Sequence, residues 1–127
     1  MSILVDSSIW IAYFRKGINN VELEYLIDEN LILINDLILS ELVPFLKIQN
    51  KLKLIRLLNE IERLPILIDW IGITNLQTNC LKKGICGVGI PDLIIAQNAI
   101  DNKVMVFSHD KDFIKLQAVS KLSLYLP

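Results

Sequence analysis

Cysteine is scarce in this 127-residue chain, and histidine scarcer: there are two of the first and one of the second. Two thiols, Cys80 and Cys86, cannot build a disulfide scaffold, and their C-x5-C spacing matches no common zinc or redox motif. They are expected as reduced thiols in a cytoplasmic protein. Glycine and proline are also sparse, at five and four residues, and no linker, repeat or low-complexity segment is visible. Long apolar runs are missing too, although 53% of residues are hydrophobic and mean hydropathy is +0.47. The longest uncharged stretch is the twelve residues 70–81, which include Thr74, Asn75, Gln77, Thr78 and Asn79. A spanning helix needs roughly 18 or more apolar residues, so no membrane association is expected. The opening MSILVDSSIW has neither the basic region nor the apolar core of a secretory signal.

A large charge of either sign is likewise absent. Thirteen bases against fourteen acids leave −1, which is not the footprint of a protein that coats nucleic acid. The balance conceals an asymmetry: residues 1–46 hold seven acids against Arg15 and Lys16, whereas residues 47–127 hold eleven bases against seven acids.

What is present is a single domain's worth of short apolar strands alternating with helices, over residues 1–127. Ile3-Leu4-Val5 reads as a buried strand, followed by Asp6-Ser7-Ser8 as cap residues and a helix ending at Gly17. Residues 21–29 read as helix and 31–34 as strand. Asn35-Asp36 caps a third helix, in which Pro44 is expected to produce a kink just beyond Ser40. Residues 47–62 form one amphipathic helix, with Ile48, Leu52, Ile55, Leu58 and Ile61 on a common face. An extended run at 64–68, a polar helix through Lys83 and a loop at 84–89 follow. A nearly all-apolar helix at 91–101, a strand at 104–107, a helix at 110–117 and a strand at 122–126 complete the pattern. The fold class expected is α/β, with a mostly parallel central sheet flanked by helices.

Four acids stand out. Asp6 directly follows the first strand, and Asp110 follows the strand at 104–107 after Ser108 and His109. Ligands of open α/β sheets bind at that carboxyl edge. Asp92 opens a helix that must be mostly buried, where an unpaired carboxylate is costly. Glu41 lies between Leu39 and Leu42 beside Pro44. Each has an ordinary alternative, as a helix cap or a solvated side chain. Together they would repel one another, and a hard divalent cation, Mg²⁺ or Mn²⁺, is the economical remedy.

Four segments, ILVDSSIWIAYFR, the SEL around Glu41, GIPDLIIAQNAI and VFSHDKDF, occur in an order that resembles PIN-domain ribonucleases. The nearest likeness is to VapC-type toxins of prokaryotic toxin–antitoxin pairs, and it runs from residue 3 to about residue 116. The resemblance implies a single PIN-like domain whose catalytic, metal-binding quartet is Asp6, Glu41, Asp92 and Asp110. Ser8, or in its place Ser7, would match the hydroxyl that supports the first acid, and Ser108 the one two residues before the last. Asp112 is a further acid for the site, and Pro44 is a departure that affects the geometry around Glu41. The implied activity is Mg²⁺- or Mn²⁺-dependent hydrolysis of RNA. A cation held by Asp6, Asp92 and Asp110 would offset charge on the scissile phosphate and lower the pKa of a bound water. Glu41 would bind a second ion or orient that water. A cognate antitoxin covering the acidic edge and a homodimer are the implied partners.

Arg15, Lys16, Lys51, Lys53 and Arg56 are candidates for contact with the RNA backbone; otherwise they are solvated faces. His109, between Ser108 and Asp110, is a candidate acid–base group by residue type, although metal-dependent hydrolysis does not require one. The GICGVG loop lacks the G-K-[ST] ending of a nucleotide loop. Trp10, Tyr13 and Phe14 read as core or subunit contact. Two rival functions differ in signature: a catalytically silent PIN-like binding module would have lost part of the quartet, and a phospho-acceptor receiver-like domain would carry an acidic pair after the first strand, where this chain has Asp6-Ser7-Ser8.

Overall fold

The computed structural model describes the backbone of residues 1–16 and 21–127. The helix stop expected at Gly17 and the side chain of Lys16 lie outside the described residues. Four strands are present: β1 (Ile3–Val5), β2 (Ile32–Leu33), β3 (Met105–Phe107) and β4 (Ser123–Leu124). Their order is β2-β1-β3-β4, and every pairing is parallel. β1 and β3 occupy the middle, and β1 is wholly buried, as expected for a parallel strand covered on both faces. The α/β expectation therefore holds. The strands expected at 31–34 and 122–126 are shorter, because both are edge strands paired on one side only. Beyond β2, Ile34 makes an isolated parallel bridge to Arg63.

The helices among the described residues are α1 (Ser7–Lys16), α2 (Val21–Asp28), α3 (Asp36–Ile48), α4 (Leu52–Glu60), α5 (Trp70–Lys82), α6 (Ile90–Asn102) and α7 (Lys111–Gln117). α6 is the central one: Leu93, Ile95, Ala96 and Ala99 are fully buried against the sheet core. Pro91 sits in its first turn, where a missing N–H costs nothing. At the far end Lys103 takes a left-handed conformation, φ 55°, and Val104 N–H returns to the Ala99 carbonyl at 3.1 Å.

α3 carries Pro44 within it and runs on to Ile48; Ser40, whose carbonyl loses its usual N–H partner there, is exposed. One expectation about the middle of the chain fails. The single helix expected over 47–62 is instead two. Asn50 adopts φ 57°, Asn50 N–H reaches the Lys47 carbonyl at 3.0 Å and Lys51 N–H the Leu46 carbonyl at 2.9 Å. That paired return is a Schellman stop with asparagine in the left-handed position. The chain reverses, Ile48 and Leu52 become 86% and 55% exposed, and only Leu58 of the supposed face is deeply buried.

Buried polar groups tie these layers together. Asn35 caps α3 by accepting Ile38 N–H at 2.8 Å, and its amide donates to Asn98 Oδ1 on α6 at 3.0 Å. Asn98 in turn donates to the Pro65 carbonyl at 2.9 Å. This relay joins α3, which carries Glu41, to α6, which carries Asp92.

Candidate metal centre

The β1–β3 register sets Val5 beside Phe107, so the residues that follow each strand emerge side by side. Asp6 N–H donates to the Phe107 carbonyl at 2.9 Å, and the Asp6 carbonyl receives Ile9 N–H to start α1. The Asp6 side chain, only 4% exposed, does something else. Its Oδ2 accepts from Ser8 Oγ at 2.9 Å and from Ser108 Oγ at 2.8 Å. The two hydroxyls are 3.1 Å apart. Backbone amides complete the knot: His109 N–H donates to Ser8 Oγ and Asp110 N–H to Ser108 Oγ, each at 3.0 Å. Ser8, and not Ser7, is the serine that meets Asp6. Ser7 instead lies against Glu41, where its hydroxyl partly offsets the rise in that carboxyl's pKa.

Asp110 begins α7, and its Oδ1 accepts Asp112 N–H at 2.9 Å. This cap turns Asp112 back toward α6. Asp92, Asp110 and Asp112 each offer an oxygen within 4.8 Å of the other two. Two oxygens on one Mg²⁺ at about 2.1 Å lie at most about 4.2 Å apart. At most one pair of three ligands can be that far apart, and neighbouring ones lie at about 3.0 Å. The three carboxylates are therefore close enough for side-chain rotation to bring them onto one ion, and an all-oxygen donor set suits a hard cation. Asp112, expected only as an addition, belongs to this tight group, whereas Asp6 stands behind it in the serine network. The sequence signal for Asp112 was the spacing Ser108-x-Asp110-x-Asp112 at a strand end, three oxygen donors that a helix start can gather.

The edge is electrostatically strained. Burial, then Asp110, Asp6, Asp112 and Glu41, push the Asp92 pKa from 3.8 up to about 6. Burial and the Asp6 charge raise Glu41 as well. Asp92 thus feels the charge of the three other acids of the expected quartet. The other candidates separate. His109 is exposed, its ring edge-on to Phe107 at 6.4 Å. Arg15 and Lys51 line a cleft of ≈ 240 Å³ together with Glu41. Lys53 and Arg56 are exposed on α4 and do not line it. A second groove, of ≈ 400 Å³, lies among α1, α2 and α4 and is lined by Trp10, Tyr13, Ile27, Leu54 and Leu57. Trp10 Nε1 is buried there without a hydrogen-bond partner. Asn35 and Asn98, whose relay holds α3 and α6 together, were not foreseen as a pair.

Comparison with known proteins identifies the fold. The family model described as PIN domain matches residues 3–119. Among solved structures, VapBC2 from Rickettsia felis, bound to a DNA fragment from its promoter, matches with TM-score 0.76 and 25% identity, over 98% of both chains. DNA-bound VapBC from Salmonella typhimurium matches with TM-score 0.77 and 14% identity, over 98% of this chain and 97% of that one. VapBC-1 from nontypeable Haemophilus influenzae gives TM-score 0.72 and 17% identity, over the same shares. No curated protein matches the chain.

Proposed function

Because the chain belongs to the PIN-domain family and is of the VapC type, we propose that it is a Mg²⁺- or Mn²⁺-dependent endoribonuclease and the toxin of a type II toxin–antitoxin pair. The observation that carries this reading is the crowding of Asp6, Glu41, Asp92, Asp110 and Asp112 at one sheet edge, with Asp92 driven to about 6. A silent binding module has no use for such repulsion, whereas a metal enzyme needs it relieved by a cation.

Asp92, Asp110 and Asp112 would hold the ion. When bound, it supplies positive charge for the scissile phosphate and lowers the pKa of a water. Asp6, locked by Ser8 and Ser108, fixes the β1 and β3 ends that carry the ligands, and its charge adds to the field on the ion. Glu41, exposed on α3, orients the attacking water and takes its proton at the carboxylate. In-line attack by that water breaks the P–O bond, and the leaving oxygen is protonated from solvent.

The partner inferred is an antitoxin that covers the acidic edge. The groove around Trp10 suits a partner segment that brings apolar side chains. A second copy of the chain is assigned to the exposed apolar segment of Leu67, Ile68, Trp70 and Ile71. None of the described helices is long and apolar enough to cross a membrane, and the free thiols Cys80 and Cys86 suit the reducing cytoplasm.

The test is cleavage of RNA by the purified protein. Activity should require Mg²⁺ or Mn²⁺, stop on adding EDTA, and be lost in Asp6→Asn. Cleavage that persists in EDTA or in that variant would refute the reading.

A further inference from the structure

Glu41 also lines a cleft whose other side chains have no part in the chemistry just described. Two helices form its walls. α1 contributes Phe14 and Arg15, α3 contributes Glu41 and Phe45, and Gln49, the residue that caps α3, continues the spacing of four. Lys51, placed by the Schellman stop at Asn50, closes one end. Arg15 is one of only two bases among residues 1–46, against seven acids. Neither Arg15 nor Lys51 forms an ion pair among the described residues, although Glu41 lines the same cleft. Phe45 is 45% exposed.

Resting on the ribonuclease reading, we propose that this cleft is a subsite for one unpaired nucleotide flanking the scissile phosphate. Arg15 and Lys51 hold its phosphate, Phe14 and Phe45 receive the base, and Gln49 reads the base edge. The charges point this way. A polyanion approaching an edge of carboxylates needs local cations, and the two unpaired ones stand next to Glu41. Aromatic faces stack bases of any identity, at about 1–3 kcal/mol each. The Gln49 amide adds a donor and an acceptor, which lets one base edge be told from another. The volume, ≈ 240 Å³, is enough for one base. An unpaired base, as in loops and bulges, is the one free to turn into such a cleft.

The experiment uses the full chain with Mn²⁺ and oligoribonucleotides of random sequence, single-stranded or annealed to a complement, with 5′ ends sequenced after cleavage. The single strands should be cut and the duplexes left intact, with a base preference at one position next to the cut. Gln49→Ala should flatten that preference. Arg15→Ala and Lys51→Ala should each raise KM roughly tenfold and reduce the salt slope of binding by about one, whereas Lys121→Ala, outside the cleft, should not. Duplex cleavage equal to single-strand cleavage would overturn the subsite. So would an unbiased wild type, or KM values in Arg15→Ala and Lys51→Ala matching Lys121→Ala. If the wild type cuts nothing, the ribonuclease reading fails. Fluorescence anisotropy of a labelled single-stranded oligoribonucleotide then decides the subsite: loss of binding in Arg15→Ala and Lys51→Ala supports it, and unchanged binding rejects it.

Discussion

Asp92 shows how one side chain sets the behaviour of the whole edge. It lies in the first turn of α6, where the helix dipole favours a negative charge, yet its pKa is raised to about 6 by burial and by its acidic neighbours. The folded state therefore binds its proton more tightly than the unfolded chain does. The sign follows: this group weakens the fold as pH rises from its usual 3.8 through about 6, and the loss is complete above that. Asp92→Asn removes the penalty. In metal-free protein the variant should melt higher than wild type at pH 7, and the gap should narrow toward pH 4. The same variant should have lost RNA cleavage in Mg²⁺. Thermal melts across pH, beside a cleavage assay, separate the two effects. Asp112 makes a second lesson at this scale. Its position two residues after Asp110 was plain in the sequence, but only the Asp110 cap aims it at Asp92.

At the level of elements, α3 and α6 carry two of the acids, and their relative placement depends on the Asn35–Asn98 relay. Asn98→Ala would leave the buried Asn35 amide without a partner, while the carbonyl of exposed Pro65 can turn to water. An orphaned buried group costs about 1–3 kcal/mol, so urea denaturation should show a clear fall in stability, with cleavage reduced as Glu41 and Asp92 lose their alignment. Pro44 lies inside α3, where it supplies no N–H. Pro44→Ala restores that donor and is expected to stabilise the protein, by up to ~3 kcal/mol, readable as a higher urea midpoint. The strands and most helices were legible because buried parallel strands are short unbroken apolar runs and α6 is apolar on nearly every face. The break between α3 and α4 was not, because its signal is a single asparagine. Ile48, Leu52 and Leu58 keep a helical period whether or not the chain reverses between them.

Over the whole molecule, the acids that strain the edge are the ones expected to gain most from a cation. Any ion bound only by the folded state stabilises it, by about 2.7 kcal/mol at a hundredfold excess over its Kd. Adding Mg²⁺ or Mn²⁺ at pH 7 should raise Tm, and EDTA should reverse the shift. At pH 5 the effect should be smaller, since the proton on Asp92 relieves part of the repulsion and competes with the ion. A Tm that ignores the metal at both pH values would argue that the acids do not act as one site. The charge asymmetry belongs to this scale as well. The acid-rich first part of the chain supplies Asp6 and Glu41, and bases on either side of the 46/47 divide, Arg15 and Lys51, meet in one cleft.

The sequence by itself determined the α/β class, the parallel strands and the identity of the acids. These depend on local apolar runs and on residue chemistry, which the order of the chain carries directly. The tertiary structure alone decided which acids stand closest together, that Ser8 and Ser108 clasp Asp6 from opposite ends of the chain, and that Arg15 meets Lys51 in one cleft. Such contacts join residues about 20 to 100 positions apart. They arise because β1 and β3 pair in one register and α3 ends at Asn50, and no local pattern records either event.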